Sequence, residues 1–419
     1  MSAVPAAVTR AALLEDLRRR AFRLDSRPGS RPRRIGAEVE FIPLAADGAR
    51  PCPLDGDGPS TLGFLRGYAA AAGWIEDRSP MGSPRFRLPD GGQLTFEPGG
   101  QVEYSSRAFS SATELLQALC STITPLRAAA LDAGMEWWSV GIDPVNPVER
   151  TPLQIRSDRY LRMTEYFERR GPAGTRMMRQ TAAYHVNVDL DEDPIGRFRL
   201  LNAAAPYLIA TFANSPLYAG ADTGHRSYRS HVWRETDPAR TGVLGGEDPA
   251  QTYLEFCLDA PAILKGPQDG AYLPFRAWVR SGEATMDDWR AHLLNVYPDV
   301  RPRGYLELRS PDAIPPELYV APIALVAGIV YDPSSARAAA DLLGEPDPAR
   351  LLRAGEAGLR EPEIAAVARD LFEIGLRGCA ALGPEFLSAA HLEEARAFYE
   401  RYTRRARSPG DELRPPAAG

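Results

Sequence analysis

The chain has 419 residues, with 49 lysines and arginines against 55 aspartates and glutamates and a formal charge of −6 at pH 7. Lys265 is its one lysine and the arginines are scattered, so the composition argues against nucleic acid as a partner and excludes a P-loop or a kinase-type strand lysine. Any phosphate bound here rests on arginine, backbone amides or metal ions.

In chain order, residues 9–24 ("TRAALLEDLRRRAFRL") have the spacing of an amphipathic helix capped by Thr9, and a Pro/Arg/Gly linker follows at 27–34. "RRIGAEVEF", residues 33–41, alternates as a strand, with Ala37, Val39 and Phe41 on one face and Glu38 and Glu40 on the other. A loop spans about 45–60, and "TLGFLRGYAAAAG" then predicts a short helix ending at Gly73. Residues 84–106 alternate around two glycine-rich turns as a β-meander. Ser111 with Glu114 is a capping-box signature that opens a long helix to about 133.

"MEWWSVGIDP" and "TAAYHVNVDL" predict further strands, separated by an arginine-rich stretch with a short helix over 160–169. "RLLNAAAPYLIATFANSPL" is apolar nearly all round and predicts a buried helix. Residues 219–247 read as a loop rich in glycine and arginine. Helices follow at 249–259 and at 286–296, the latter capped by Thr285, then a strand at 304–310 and an almost wholly helical remainder to about 405. The final "SPGDELRPPAAG" is expected to be disordered. No repeat and no long linker forces a split between 35 and 400.

Cys52, Cys120, Cys257 and Cys379 lie far apart without zinc-ligand spacing, so free thiols are the expectation. With no apolar signal core and no long uncharged apolar run, the reading is a cytoplasmic chain that engages no membrane.

The strands share a parity. Leu94 and Phe96 oppose Thr95 and Glu97, while Val102 and Tyr104 oppose Gln101 and Glu103. Val186, Val188 and Leu190 oppose His185, Asn187 and Asp189, and Leu306 and Leu308 oppose Glu307 and Arg309. One antiparallel sheet would gather Glu38, Glu40, Glu97, Glu103, Glu307 and His185 on one face. On a single strand such glutamates are ordinary residues of a solvated face; over four strands, with carboxylates dominating, that reading weakens. Carboxylates about 4 Å apart at an effective dielectric of about 20 repel by roughly 4 kcal/mol per pair, so the cluster must protonate, pair with arginine or bind cations. Oxygen-rich sites of this kind suit Mg²⁺ or Mn²⁺. For His185 the ordinary alternative is a hydrogen-bonded structural histidine. His225 and His231 read as solvent-exposed, and His292 and His391 have no metal partner at i+4.

The G-x-E-x-E strand (Gly36, Glu38, Glu40), "EPGGQVEYS", "TFANSPLYAG", "YRSHVWRETDPARTG" and "GYLELRS", in order from about 33 to 340, resemble the plant-type glutamate–cysteine ligases and their bacterial relatives. The resemblance implies a glutamine-synthetase-like catalytic fold of the α/β (α+β) class, a curved antiparallel β-sheet bowl with helices packed outside. It implies residues 33–405 as one catalytic domain, with 1–32 an N-terminal helix and linker and 406–419 a disordered tail. The implied reaction joins L-cysteine to the γ-carboxylate of L-glutamate using ATP and Mg²⁺, with Mn²⁺ as a substitute, in the service of glutathione or ergothioneine synthesis. No nucleic acid takes part, and the chain is a monomer or homodimer.

By the same resemblance Glu38, Glu40, Glu97, Glu103, Glu307 and His185 are metal ligands, and His185 and Asn187 also face substrate. Arg229 grips the glutamate α-carboxylate, Arg309 meets the γ-phosphate, and Arg226 and Arg240 are further substrate-binding candidates whose ordinary alternative is a solvated loop arginine. Arg309, Glu307 and Arg229 are the catalytic set, and 219–247 is a candidate lid. Residues 265–275 lack the cysteine that redox-regulated plant enzymes carry, so redox control is not implied. Two rival readings remain: a glutamate ligase with a different amine acceptor, and a catalytically silent relative that binds a small molecule or metal.

Overall fold

The computed structural model describes residues 8–24, 33–48, 50–56, 58–79, 82–190 and 193–413. The alternating segments pair into an antiparallel nine-stranded sheet. Its strands are β1 (Ile35–Ala45), β2 (Ile75–Arg78), β3 (Pro84–Arg87), β4 (Gln93–Phe96), β5 (Val102–Ser105), β6 (Met135–Trp138), β7 (Tyr184–Val188), β8 (Val300–Pro302) and β9 (Leu306–Leu308). The order across the sheet is β8-β9-β7-β1-β5-β4-β3-β2, and β6 pairs with the far half of β1. β1 is the hub: Glu38 lies opposite His185 of β7 and Glu40 opposite Glu103 of β5.

Period-two alternation sorts the two faces as the parity requires. Val39, Phe41, Leu94, Phe96, Val102, Val186, Leu306 and Leu308 are 3% exposed or less, each contributing roughly 1.5–3 kcal/mol relative to exposure. They share one core with the helices Ala112–Asp132, Pro194–Thr211 and Val320–Tyr331. The last of these is buried along its whole length and crosses Pro362–Leu382 so closely that a Cβ on Gly328 would collide with the carbonyl of Gly375. Among the described residues no single helix is long and apolar enough to cross a membrane; the pair Pro316–Tyr331 and Pro333–Leu343 passes by composition but bends by 98°.

Several expectations need correction. The N-terminal helix, Arg10–Asp16 continued by a π-turn at Leu17–Ala21, is not an appendage: Leu13, Leu17 and Phe22 are fully buried, and Phe22 packs edge-on against Phe198 and Tyr253. Most of the expected linker, 25–32, lies outside the described residues. The strand Ile75–Arg78 and the helix Pro172–Gln180 were not foreseen. The segment 219–247 is no open loop, because Ser227 caps a helix, Tyr228–Thr236, that carries the buried Arg229, Ser230 and Val232. That burial anchors the middle of the segment. The tail is ordered through Leu413: the amide of Gly410 donates to Ala213 O, and Asp411 accepts from Arg226 and Arg360. Residues 414–419 lie outside the described residues. Ser111 caps its helix by accepting from the Glu114 amide, but the Glu114 carboxylate turns to the Ser110 hydroxyl instead of closing a capping box.

Candidate active site

The polar face of the sheet floors a basin of about 680 Å³, and Glu38, Glu40, Glu97, Glu103, His185 and Asn187 line it. Strand pairing divides the acidic groups into two clusters. Glu38, His185 and Glu307 bring one ligand atom each within 4.8 Å of one another, and Glu40, Glu97 and Glu103 do the same.

In the first cluster His185 donates from Nδ1 to Glu38 Oε2 at 3.1 Å, since a carboxylate can only accept. Asn187 Nδ2 donates to Glu38 Oε1 at 2.9 Å. Burial lowers the His185 pKa, so the ring is neutral at pH 7. Its Nε2 is then a buried lone pair without a partner, as is Asn187 Oδ1. Burial and Glu307 push Glu38 upward, but the bonds from His185 and Asn187 outweigh them and leave it lowered. Glu307 is fully buried and accepts from Arg301 Nε and Nη2 (2.7 and 3.0 Å), Arg303 Nη1 (2.8 Å) and Arg309 Nη1 (3.0 Å). Burial opposes its charge, and the arginines hold it well below the carboxylate range.

The second cluster is short of cations. Burial and then Glu97 push Glu40 up to about 8, against the pull of Arg229 and Arg309. Glu103 rises well above its ordinary value through burial and the neighbouring Glu38, Glu97 and Glu40, although it accepts from Thr95 Oγ1 and Ser105 Oγ. Glu97 is raised by burial. Two acidic triads, one of three carboxylates and one of two carboxylates with an orphaned imidazole nitrogen, fit divalent cations chemically. Glu97 is placed by its turn: the Gly100 amide donates to its carbonyl, and Gln101 accepts from Gly99 N at 3.0 Å while donating to Thr181 O at 3.0 Å. Position 99 admits no Cβ because the backbone of Arg179 lies against it.

Other proposed residues are placed elsewhere. Arg309 lines the basin, whereas Arg229 does not: its Nη2 and Nη1 donate to the carbonyls of Arg309 and Ser310 at 2.9 and 3.3 Å, beside Asp312 at 3.6 Å. Its charge reaches Glu40, whose pKa it pulls down against burial. Arg240 is fully buried and ties Asp237 to the carbonyls of Asn295 and Pro261. Arg226 is buried against Asp411. Neither meets the basin, because each already has an acidic partner, Asp237 three residues before Arg240 and the distant Asp411 for Arg226.

Arg301 and Arg303, which bracket Glu307, were missed, as were Arg23, Arg34, Arg159 and Tyr160 on the basin wall. Hairpin parity was the available signal, for Arg301 stands opposite Glu307 across the turn at Gly304. Also missed was an apolar wall of Met163, Met177, Met178, Trp233 and Tyr297, one cluster separate from the main core.

The family model for glutamate–cysteine ligase family 2 matches residues 34–410. The chain is 32% identical over 346 residues to glutamate–cysteine ligase EgtA of Mycolicibacterium smegmatis, covering 78% of each chain. It is 31% identical to the chloroplastic glutamate–cysteine ligase of Arabidopsis thaliana over 75% of this chain and 63% of that one. A crystal structure of a glutamate–cysteine ligase from Francisella tularensis in complex with AMP overlaps 92% of this chain and 90% of its own at 12% identity with a TM-score of 0.47, too loose a likeness to carry an argument.

Proposed function

The chain belongs to glutamate–cysteine ligase family 2, and from that premise we propose that it joins the γ-carboxylate of L-glutamate to the amine of L-cysteine, using ATP, in the basin over β1, β5, β7 and β9. The observation that carries the reading is the pair of triads, Glu38/His185/Glu307 and Glu40/Glu97/Glu103, with Arg301, Arg303 and Arg309 lining the same basin.

Activation of a carboxylate by ATP brings two anions together. An oxygen of the glutamate γ-carboxylate bonds to the γ-phosphorus and ADP leaves. The cysteine nitrogen then bonds to the γ-carbonyl carbon, the carbon–oxygen bond to phosphate breaks, and the amine gives up a proton. The triads would hold divalent cations, Mg²⁺ or Mn²⁺, which supply positive charge between nucleotide and carboxylate. Arg309, one residue past the strand that carries Glu307, meets the transferring phosphate, where a fixed guanidinium offsets developing charge. Neutral His185 keeps Glu38 oriented through Nδ1 and offers Nε2 inward. No side-chain nucleophile is needed, and none of the four cysteines lines the basin.

The thioether and aromatic wall of Met163, Met177, Met178, Trp233 and Tyr297 is a soft, polarisable surface that suits a small thiol side chain better than a charged one. That favours cysteine over a polar amine. A catalytically silent binder would have no need to keep both triads together with three arginines.

The test is formation of γ-glutamylcysteine, followed by mass, with ADP release in the presence of Mg²⁺ and a panel of amines. Cysteine is expected to stimulate ADP release more than any other amine. A stronger response to another amine transfers the reading to that acceptor, and ATP binding without turnover by any amine overturns it.

A further inference from the structure

A second cavity, of about 210 Å³, opens behind the β8–β9 hairpin and shares Leu294, Arg301 and Arg303 with the basin. Its far side is built by the N-terminal helix, which precedes residue 34, where the family match begins. Leu17, Tyr253, Leu293 and Pro302 give it apolar walls, and Asp16 and Arg290 meet within it. Asp16 is 6% exposed. Its Oδ1 is a buried acceptor with no hydrogen bond, in ion-pair range of Arg290 Nη2 at 3.5 Å and Arg20 Nε at 3.9 Å. Arg290 Nε is a buried donor likewise without a partner. The turn of chain along this wall, Leu17–Ala21, is a π-helix, a distortion that is frequent at functional sites. It is pinned to the hairpin by Gly304 N donating to Ala21 O at 2.8 Å.

We propose that this cavity takes the purine base of the nucleotide, with Asp16 accepting from the exocyclic amine of adenine and Arg290 Nε donating to a ring nitrogen. The proposal rests on ATP being the nucleotide of the reaction above. Its geometry follows the ion pairs: with the phosphates beside Arg301, Arg303 and Arg309 at the Glu307 cluster, the base lies toward the cavity that shares Arg301, Arg303 and Leu294 with the basin. An amine donor beside a ring acceptor is the pattern adenine presents, whereas guanine sets a carbonyl oxygen at the amine's place, against the Asp16 carboxylate. The base specificity of this chain would thus come from a helix outside the matched family region.

A nucleotide-by-residue cycle tests it: kcat/KM for ATP and for purine riboside triphosphate, which lacks the amine, in the wild type and in Asp16→Ala. A hydrogen bond to a charged acceptor is expected to favour ATP roughly tenfold in the wild type. Asp16→Ala should remove that preference by weakening ATP alone. Equal losses for both nucleotides would mean a structural role and overturn the proposal, as would no wild-type preference. Should Asp16→Ala fail to fold, Ala21→Phe fills the same cavity from the same wall; it should raise KM for ATP at least tenfold with KM for glutamate unchanged, and an unchanged KM for ATP would overturn the assignment. Calorimetry with a non-hydrolysable ATP analogue separates the two readings. No binding to the wild type counts against the ligase reading itself, and binding without the Asp16–amine coupling counts against this inference alone.

Discussion

Arg301 and Glu307 stand opposite each other on neighbouring strands of one hairpin and are joined by two parallel hydrogen bonds, Nε to Oε2 at 2.7 Å and Nη2 to Oε1 at 3.0 Å. The pair is mutually fixed: Glu307 is fully buried and Arg301 presents the planar fork that a carboxylate accepts. The geometry leaves Glu307 held by arginine, so any cation at the first triad must share it with Arg301, Arg303 and Arg309.

That sharing predicts the behaviour of Arg301→Ala. Loss of two charge-assisted bonds to a buried carboxylate is expected to destabilise the metal-free protein by about 2–4 kcal/mol. A saturating divalent cation should restore part of that loss, because the freed Glu307 becomes a better ligand. Urea unfolding with and without Mn²⁺ reads both effects. A variant as stable as the parent, or one that Mn²⁺ stabilises no more than the parent, counts against the shared-ligand picture.

Glu40→Gln separates charge from packing. The Glu40 carboxyl accepts from the Ala183 amide at 2.7 Å, a bond the glutamine carbonyl can keep, and with its pKa near 8 the native group is largely protonated at neutral pH when no cation is bound. The variant should therefore melt within a degree or two of the metal-free parent, while turnover falls by roughly a hundredfold or more through loss of a cation ligand. Parent-like turnover would remove Glu40 from the site.

The same raised groups set a pH dependence. Glu40, Glu97 and Glu103 have folded pKa values above their unfolded ones, so between about pH 4.5 and 8 these groups hold more protons in the folded state and their contribution to stability declines as pH rises, opposed below about pH 6.5 by His185, His231 and His292, whose pKa values burial lowers. Cations compete with those protons. The melting temperature of the metal-free protein should fall between about pH 7 and 8, where the histidines no longer titrate, and the increment that Mg²⁺ or Mn²⁺ adds should grow between about pH 5.5 and 8. An increment independent of pH would show that the second triad is not where the ions bind.

The legibility of this site in the sequence follows from periodicity. Glu38, Glu40, Glu103 and Glu307 lie within strands, where period two assigns a face without knowledge of the neighbours. Arg301 escaped notice because prolines at the end of its strand, Val300–Pro302, and just before it in Tyr297–Pro298 mask the strand, so its pairing with Glu307 across the turn went unused. The helix Tyr228–Thr236 was obscured by its polar composition, although Ser227, accepting from the Ser230 amide, was a readable cap. Asp16 gave no local sign at all, since its relation to the basin depends on how the N-terminal helix packs on Tyr253 and the hairpin. Arg226 and Arg240 show the converse: arginines of the glycine-rich segment looked available for substrate, but Asp411 and Asp237 had already taken them.

For Arg240 this reversal makes its own prediction. The guanidinium is fully buried, holds Asp237 at 2.7 Å, lies over the Tyr166 ring and donates to the carbonyl of Pro261 at 2.8 Å. Tyr166 Oη also donates to Asp237, at 2.6 Å, and Arg170 Nη2 lies 3.3 Å from it, so Arg240→Ala leaves a buried carboxylate with one half-exposed ion-pair partner and removes a donor from the Asn295 and Pro261 carbonyls, the latter still accepting from the Ile263 amide. Loss of these charge-assisted bonds costs about 2–3 kcal/mol, which denaturant unfolding would register directly. Because none of these atoms reaches the basin, the fraction that remains folded should keep the KM values for glutamate and ATP of the parent. A stable variant whose KM for glutamate rises tenfold would restore Arg240 to substrate binding and would mean that the segment 219–247 rearranges when substrate enters.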